Sequence, residues 1–307
     1  MSTCRSLRSR LLVVATLGAV LVVLAAAAVA AGAGRDRGGP FASPAPAALD
    51  LRYGPRPAQT LDVHVPSVTA VAARRSDSSA APPTRPAVLL VHGGGWFAGD
   101  KSRLTPTAQA LAAAGFVVFN VNYTLARRGG RPSFPLQLDE LRAALAWTEA
   151  NAAGYGADRR RIAALGTSAG GNLAALLATT AVPSAAPGAG RLRALVTWSA
   201  PLDLTRLPAG DLRRLAATFT GCPRLACTAR VKAASPLAHV TSLTPPTLLV
   251  NARRELVPLR QAARMADALA HADVAHRLLA VPGTLHGREL APYALERSLR
   301  FLRRHMR

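Results

Sequence analysis

The sequence predicts an α/β fold: a mainly parallel central sheet flanked by helices, with a small disulfide-bearing cap excursion late in the chain. Three observations carry this expectation. Short apolar runs alternate with helix-like runs from Leu61 onward, and glycine-rich turns directly follow two of the apolar runs. The alternation lapses between Pro201 and Pro246, the interval that holds Cys222 and Cys227. In such a fold the functional groups gather at the carboxyl ends of the strands.

The elements follow in order. Arg5, Arg8 and Arg10 precede an unbroken apolar run from Leu11 to about Ala31, the pattern of an export signal over residues 1–33. Ala28-Val29-Ala30 and Ala31-Gly32-Ala33 offer small-residue cleavage sites, and the run is also long enough to span a bilayer as an uncleaved anchor. Cys4 lies ahead of the run, where no lipid-attachment cysteine is expected. Residues 34–48, rich in Gly, Pro and Ala, read as a flexible linker, and one domain is expected over residues 49–307. Leu61–Val65 and Ala87–Val91 read as the first strands, separated by an exposed Ser/Pro/Arg-rich loop from Ser67 to Arg85. A helix around Thr105–Ala114, a strand at Phe116–Val121 and a helix from about Leu136 to Asn151 follow. Next come a strand at Arg161–Leu165, a helix over Asn172–Ala178, and strands at Ala194–Trp198, Thr247–Asn251 and His276–Val281. The interval 201–246 reads as a cap-like insertion over the top of the sheet.

Composition narrows the function classes. Half of the 307 residues are apolar, enough for a sizeable core and too many for a disordered chain. The net charge of +22 comes from scattered arginines, since Lys101 and Lys232 are the only lysines. A basic surface meets anionic partners readily, but no nucleic-acid module is visible, so no nucleic-acid partner is expected. Cys222 and Cys227 form an even pair once Cys4 leaves with the signal, as suits a short disulfide loop in an oxidising compartment.

Gly166-Thr167-Ser168-Ala169-Gly170 lies between a strand-like and a helix-like run. Small residues on both sides of a serine permit a sharp strand-to-helix turn that lifts the hydroxyl clear of the sheet, so Ser168 is the candidate nucleophile. His92-Gly93-Gly94-Gly95-Trp96 follows an earlier strand; there the N–H groups of Gly93 and Gly94, joined by that of Ala169, would form an oxyanion hole. Of seven histidines, His286 is the candidate base, because Thr284-Leu285-His286-Gly287 follows the last strand. His92 is expected to hold its loop by hydrogen bonding, and Asp100 and Asp158 to organise theirs.

These motifs resemble those of the α/β-hydrolase superfamily, and within it the serine esterases and lipases of the HGGGW type. The likeness covers Leu51 to Met306. Besides the two turns it rests on Gly99-Asp100-Lys101, Val121-Asn122-Tyr123, Phe134-Pro135 with Trp147, and Tyr155 to Asp158 with Arg161. Tyr53-Gly54 and Leu61-Asp62-Val63 resemble the feruloyl-esterase-like branch, which lacks the helical N-terminal cap of hormone-sensitive-lipase relatives. The resemblance implies the chain order nucleophile, acid, base, with the acid in Asn251 to Pro258. Relatives often carry Asp-x-x-Val-Pro there, yet Arg254 stands at the aspartate position. Glu255, one residue on, is the candidate acid, and Asp203 in Pro201-Leu202-Asp203-Leu204 is its rival.

The resemblance thus implies hydrolysis of a small carboxylic ester through an acyl-enzyme, with no metal or organic cofactor and with membrane contact only through an uncleaved N-terminal segment. A peptidase or amidase of the same fold, and a non-catalytic binding protein, stand as alternatives; oligomeric state is left open.

Overall fold

The computed structural model describes residues 46–67, 84–127, 131–180 and 191–307. The expected export signal, most of the linker and the interior of the loop between Ser67 and Arg85 lie outside them. The strands are β1 (Ala48–Arg52), β2 (Thr60–His64), β3 (Arg85–Val91), β4 (Val117–Val121), β5 (Ala157–Thr167), β6 (Ala194–Trp198), β7 (Thr247–Ala252) and β8 (His276–Val281). They form one eight-stranded sheet in the order β1-β2-β4-β3-β5-β6-β7-β8. β1 and β2 run antiparallel to their neighbours, and the other pairings are parallel.

The described α-helices are α1 (Thr105–Ala113), α2 (Leu136–Asn151), α3 (Ala169–Thr179), α4 (Asp211–Thr220), α5 (Thr228–Ala233), α6 (Leu259–His271) and α7 (Ala291–His305). Successive side chains of a strand point to opposite faces. Ala87, Leu89 and Val91 of β3 accordingly join the core beneath α2, α3 and α6, while Val88 and Leu90 join the core beneath α1 and α7. Burial on both sides is why β3 and β4 read as continuous apolar runs rather than alternating ones. Right-handed crossovers place the helices. The step from β3 to β4 runs one way along the sheet and puts α1 on one face; the steps β4 to β5, β5 to β6 and β7 to β8 run the other way and put α2, α3 and α6 on the opposite face. The direction therefore reverses beside β3, the position where open α/β sheets leave a crevice for ligands.

Two details depart from the sequence expectation, and a third follows it. The expected linker ends early: the Ala47 N–H donates to the Val63 carbonyl at 2.7 Å, and Ala48 already belongs to β1. This strand gave little apolar signal because, at the sheet edge, its residues are exposed or half-buried. β5 begins four residues sooner than expected, its charged start running beside Arg85 at the edge of the apolar body. The interval 201–246 carries α4 and α5, and Cys222 and Cys227 in it are joined.

One buried ionic cluster fixes the segment that follows the His92 turn. The Lys101 ammonium lies 2.7 Å from the Asp62 carboxylate of β2, both side chains almost wholly buried, and 2.9 Å from exposed Asp50. The Asn120 amide donates to the Lys101 carbonyl (2.8 Å), and Asn122 accepts from the Lys101 N–H (2.7 Å) while donating to Asp100 (2.7 Å). Partial burial pushes the Asp100 carboxyl up, but hydrogen bonds from Ser102 and Asn122 and the charge of Lys101 outweigh it and hold it at about 2. Removing one partner of a buried pair strands the other. Lys101→Met should therefore destabilise the protein by about 3 kcal/mol in urea unfolding; a loss below about 1 kcal/mol, the range of surface pairs, would show that the cluster is not structural.

Candidate active site

Residues of the site leave the sheet from four strands, all at carboxyl ends. β3 and β5 are parallel neighbours with Val91 paired to Gly166, so the His92 turn and the Ser168 turn emerge side by side. Their backbones then approach closely. A Cβ at Gly166 would strike the backbone of Gly170, and one at Gly170 would strike the carbonyls of Val91 and His92, so neither position admits a side chain without movement.

Between these glycines Ser168 adopts φ 51° and ψ −122°, a conformation that costs a non-glycine residue about 1–3 kcal/mol. Its N–H donates to the Trp198 carbonyl of β6 at 2.7 Å, and α3 begins at Ala169. The helix thus opens three residues before the apolar run that marks it in sequence, because Gly170 and Gly171 are there for close approach rather than for helix propensity.

The His286 Nε2 lies 2.9 Å from the Ser168 Oγ. The His286 Nδ1 hydrogen-bonds the Glu255 Oε2, and the Glu255 side chain is wholly buried. The second oxygen of Glu255 accepts from the Ala252 N–H at 3.0 Å and the Ser199 hydroxyl at 2.8 Å. The His286 N–H donates to Glu289 at 3.3 Å, which steadies the turn after β8. The structure therefore brings together Ser168, His286 and Glu255.

It does not bring Asp203 to them. Asp203 caps the turn at 204–206, accepting from Thr205, and pairs with Arg264 at 3.3 Å. Arg254, at the position where relatives often carry aspartate, is exposed, and its N–H binds the Gly283 carbonyl. Glu255 reaches the imidazole from one residue later because its side chain is one methylene longer than that of aspartate.

Gly93, Gly94 and Ala169 line a cavity of about 390 Å³ together with Ser168 and His286. Among the described residues none of these three N–H groups has a hydrogen-bond acceptor. Ala169 opens α3, whose first N–H groups have no partner within the helix and carry the positive end of its dipole. Donors and dipole together favour a negative oxygen at that point.

His92 does not serve this cavity as a base. Burial pushes its imidazole below the ordinary histidine range, its Nδ1 donates to the Gly93 carbonyl at 2.9 Å, and its ring stacks on Tyr123 at 4.4 Å. The Tyr123 hydroxyl in turn donates to the His92 carbonyl at 2.9 Å. Trp96 ends the turn at φ 68°, wholly buried. Its indole donates to Asn172 of α3 (3.2 Å), its carbonyl accepts from Gln137 of α2 (2.8 Å), and its ring stacks on Phe219 of α4 at 4.7 Å. Through Phe219 the cap is joined to the loop that carries Gly93 and Gly94, and Leu212 and Leu215 of α4 close the apolar side of the cavity.

Sequence reasoning missed Ser199. A polar residue directly after the run Ala194–Trp198, at the carboxyl end of an expected strand, was the available signal.

Known proteins resemble the chain in sequence and fold. The BD-FAE family model matches residues 77–269. The chain is 32% identical, over 61% of its length and 45% of the relative's, to the probable carboxylic ester hydrolase LipM of Mycobacterium tuberculosis (strain ATCC 25618 / H37Rv). It is 30% identical to esterase LipC of the same organism, over 78% of this chain and 59% of that one. The chain thus spans about half the length of these curated relatives. A truncated carbohydrate esterase from gut microbiota shares the fold, with a TM-score of 0.69 at 20% identity, covering 84% of this chain and 95% of that one. Esterase B from Lactobacillus Rhamnosis (HN001) does so with a TM-score of 0.65 at 23% identity, covering 84% of each chain.

Gly170→Ala tests the close approach of the two turns. Its methyl group must displace the carbonyls of Val91 and His92, an overpacking that costs about 1–3 kcal/mol. The variant should unfold several degrees below the wild type in a thermal melt, and an unchanged melt would contradict the described packing.

Proposed function

Because the chain belongs to the BD-FAE family of α/β-hydrolases, we propose that it hydrolyses carboxylic esters through an acyl-enzyme on Ser168. The observation that carries the reading is the hydrogen-bonded series from Ser168 Oγ through the two ring nitrogens of His286 to Glu255. In this mechanism Ser168 Oγ attacks the ester carbonyl while His286 Nε2 takes its proton. The bond between Nδ1 and Glu255 fixes the tautomer that leaves Nε2 free to accept, and the buried carboxylate offsets the charge of the imidazolium. The carbonyl oxygen, now an oxyanion, is held by the N–H groups of Gly93, Gly94 and Ala169. The tetrahedral adduct collapses, the alcohol leaves with the proton from His286, and water attacks the acyl-enzyme by the same route in reverse roles. Apart from the ester and water, the groups this mechanism uses are side chains and backbone amides of this chain.

Leu212 and Leu215 of α4 on the cavity wall favour an apolar acyl group. The domain is proposed to act outside the cytoplasm, secreted or held by residues 11–31. That reading is supported by the arginines ahead of the apolar run and by the joined cysteines.

Ser168→Ala should abolish hydrolysis of a short p-nitrophenyl ester by the folded protein, and retained turnover would refute the mechanism. For the acid, Glu255→Gln should lower kcat about a thousandfold or more, whereas Asp203→Asn should leave kcat within a few-fold. The reverse ranking would remove Glu255 from its role.

A further inference from the structure

Ser199 is tied to the site in a manner that its sequence position does not require. It follows β6, which lies between β5 and β7 in the sheet, so Ser199 sits between the strand that leads to Ser168 and the strand that leads to Glu255. It is wholly buried. Its hydroxyl donates to the Glu255 Oε1 at 2.8 Å and accepts the N–H of Gly287, the residue after His286, also at 2.8 Å. Its own N–H donates to the Val250 carbonyl of β7 at 2.8 Å.

Two physical points follow. A serine hydroxyl has one hydrogen. The Gly287 N–H can only donate, so it occupies an oxygen lone pair and the single hydrogen is committed to Glu255. The carboxylate is thereby held by three donors: Ser199 and Ala252 on Oε1, and His286 on Oε2. The second point concerns the backbone. Ser199 has φ 56°, in the left-handed region that few non-glycine residues occupy. A glycine would relieve that cost, so the side chain stays despite the backbone rather than because of it.

We infer that Ser199 is a positioning residue for the acid: its hydroxyl aims Glu255 at His286 Nδ1 and, through Gly287, fixes how far the base segment stands from the acid. This rests on the reading of Ser168, His286 and Glu255 as nucleophile, base and acid. Glu255 has one more rotatable bond than aspartate, and Ser199 joins the Ala252 N–H in restricting it at Oε1. Of these two donors only the Ser199 hydroxyl also touches the segment that carries the base. Substrate does not reach it, because it is not among the residues lining the cavity.

The test uses S199G and S199A in the full chain. S199G deletes the hydroxyl while easing the backbone; the two lost hydrogen bonds and the relieved φ oppose each other, so its melting temperature should stay within several degrees of the wild type. Loss of a hydrogen bond to a charged group corresponds to about a tenfold to a hundredfold fall in kcat, with KM of a short ester within about twofold. The downfield proton resonance of the His286 Nδ1–H should also move upfield or broaden, which a merely structural role would not produce. S199A should match S199G in kcat if it folds. Wild-type kcat and an unmoved resonance in S199G, while Ser168→Ala is inactive, would overturn the role of Ser199 and leave the proposed function standing. If Ser168→Ala is itself as active as the wild type, both fall.

Discussion

The backbone contact between the Ser168 turn and the His92 turn is the constraint on which the rest of the site depends. Gly170 packs against the carbonyls of Val91 and His92 with no room for a Cβ, and that proximity is possible because β3 and β5 are parallel neighbours in register. It brings the Ser168 hydroxyl and three backbone N–H groups to one wall of a single cavity. Distance between the two turns is thus set by main chain against main chain, the least adjustable contact a protein has. Side chains then lock the outer parts: Tyr123 from the loop after β4, Asn172 from α3 and Gln137 from α2 all bind the His92–Trp96 segment.

Fixed partners also govern the charged half of the site. Glu255 is buried, and burying a carboxylate is costly unless it is paired and hydrogen-bonded. Its oxygens meet a backbone amide at the end of β7, a serine hydroxyl just after β6 and the imidazole from the loop after β8. Part of the backbone strain among the described residues lies in the same place. Ser168, Ser199 and Trp96 are non-glycine residues with positive φ, and each has a functional neighbour rather than a loose turn around it. The remaining ionic cluster, Lys101 with Asp62 and Asp50, lies beyond the His92 turn and holds the return of that loop into α1.

Much of this is legible in the sequence, for physical reasons that differ from residue to residue. Buried strands of a parallel sheet are continuous apolar runs, so β3, β4, β6 and β7 stand out, whereas β1, exposed at the edge, does not. The glycines at 166 and 170 mark a close backbone approach, and together with the strand-like and helix-like runs on either side they single out Ser168. His286 stands out because it follows the last strand. The acid is harder. Arg254 occupies the aspartate position of the related motif, and the choice between Glu255 and Asp203 depends on side-chain reach and on capping, neither of which a linear pattern displays. Ser199 is not legible at all as a partner, since its two contacts lie 56 and 88 residues away. The large positive charge, in turn, resolves into arginines such as Arg161 and Arg264 that pair within the fold and others that are exposed.

The central claim is that Ser168 is a nucleophile activated by His286 and Glu255. The most direct measurement is to treat the folded full chain with a short-chain p-nitrophenyl phosphonate and locate the adduct by peptide mass spectrometry. The account expects one phosphonyl group per chain, on Ser168, formed in step with the loss of ester hydrolysis. An adduct on another residue, or an unmodified Ser168 in protein that hydrolyses esters, would contradict it.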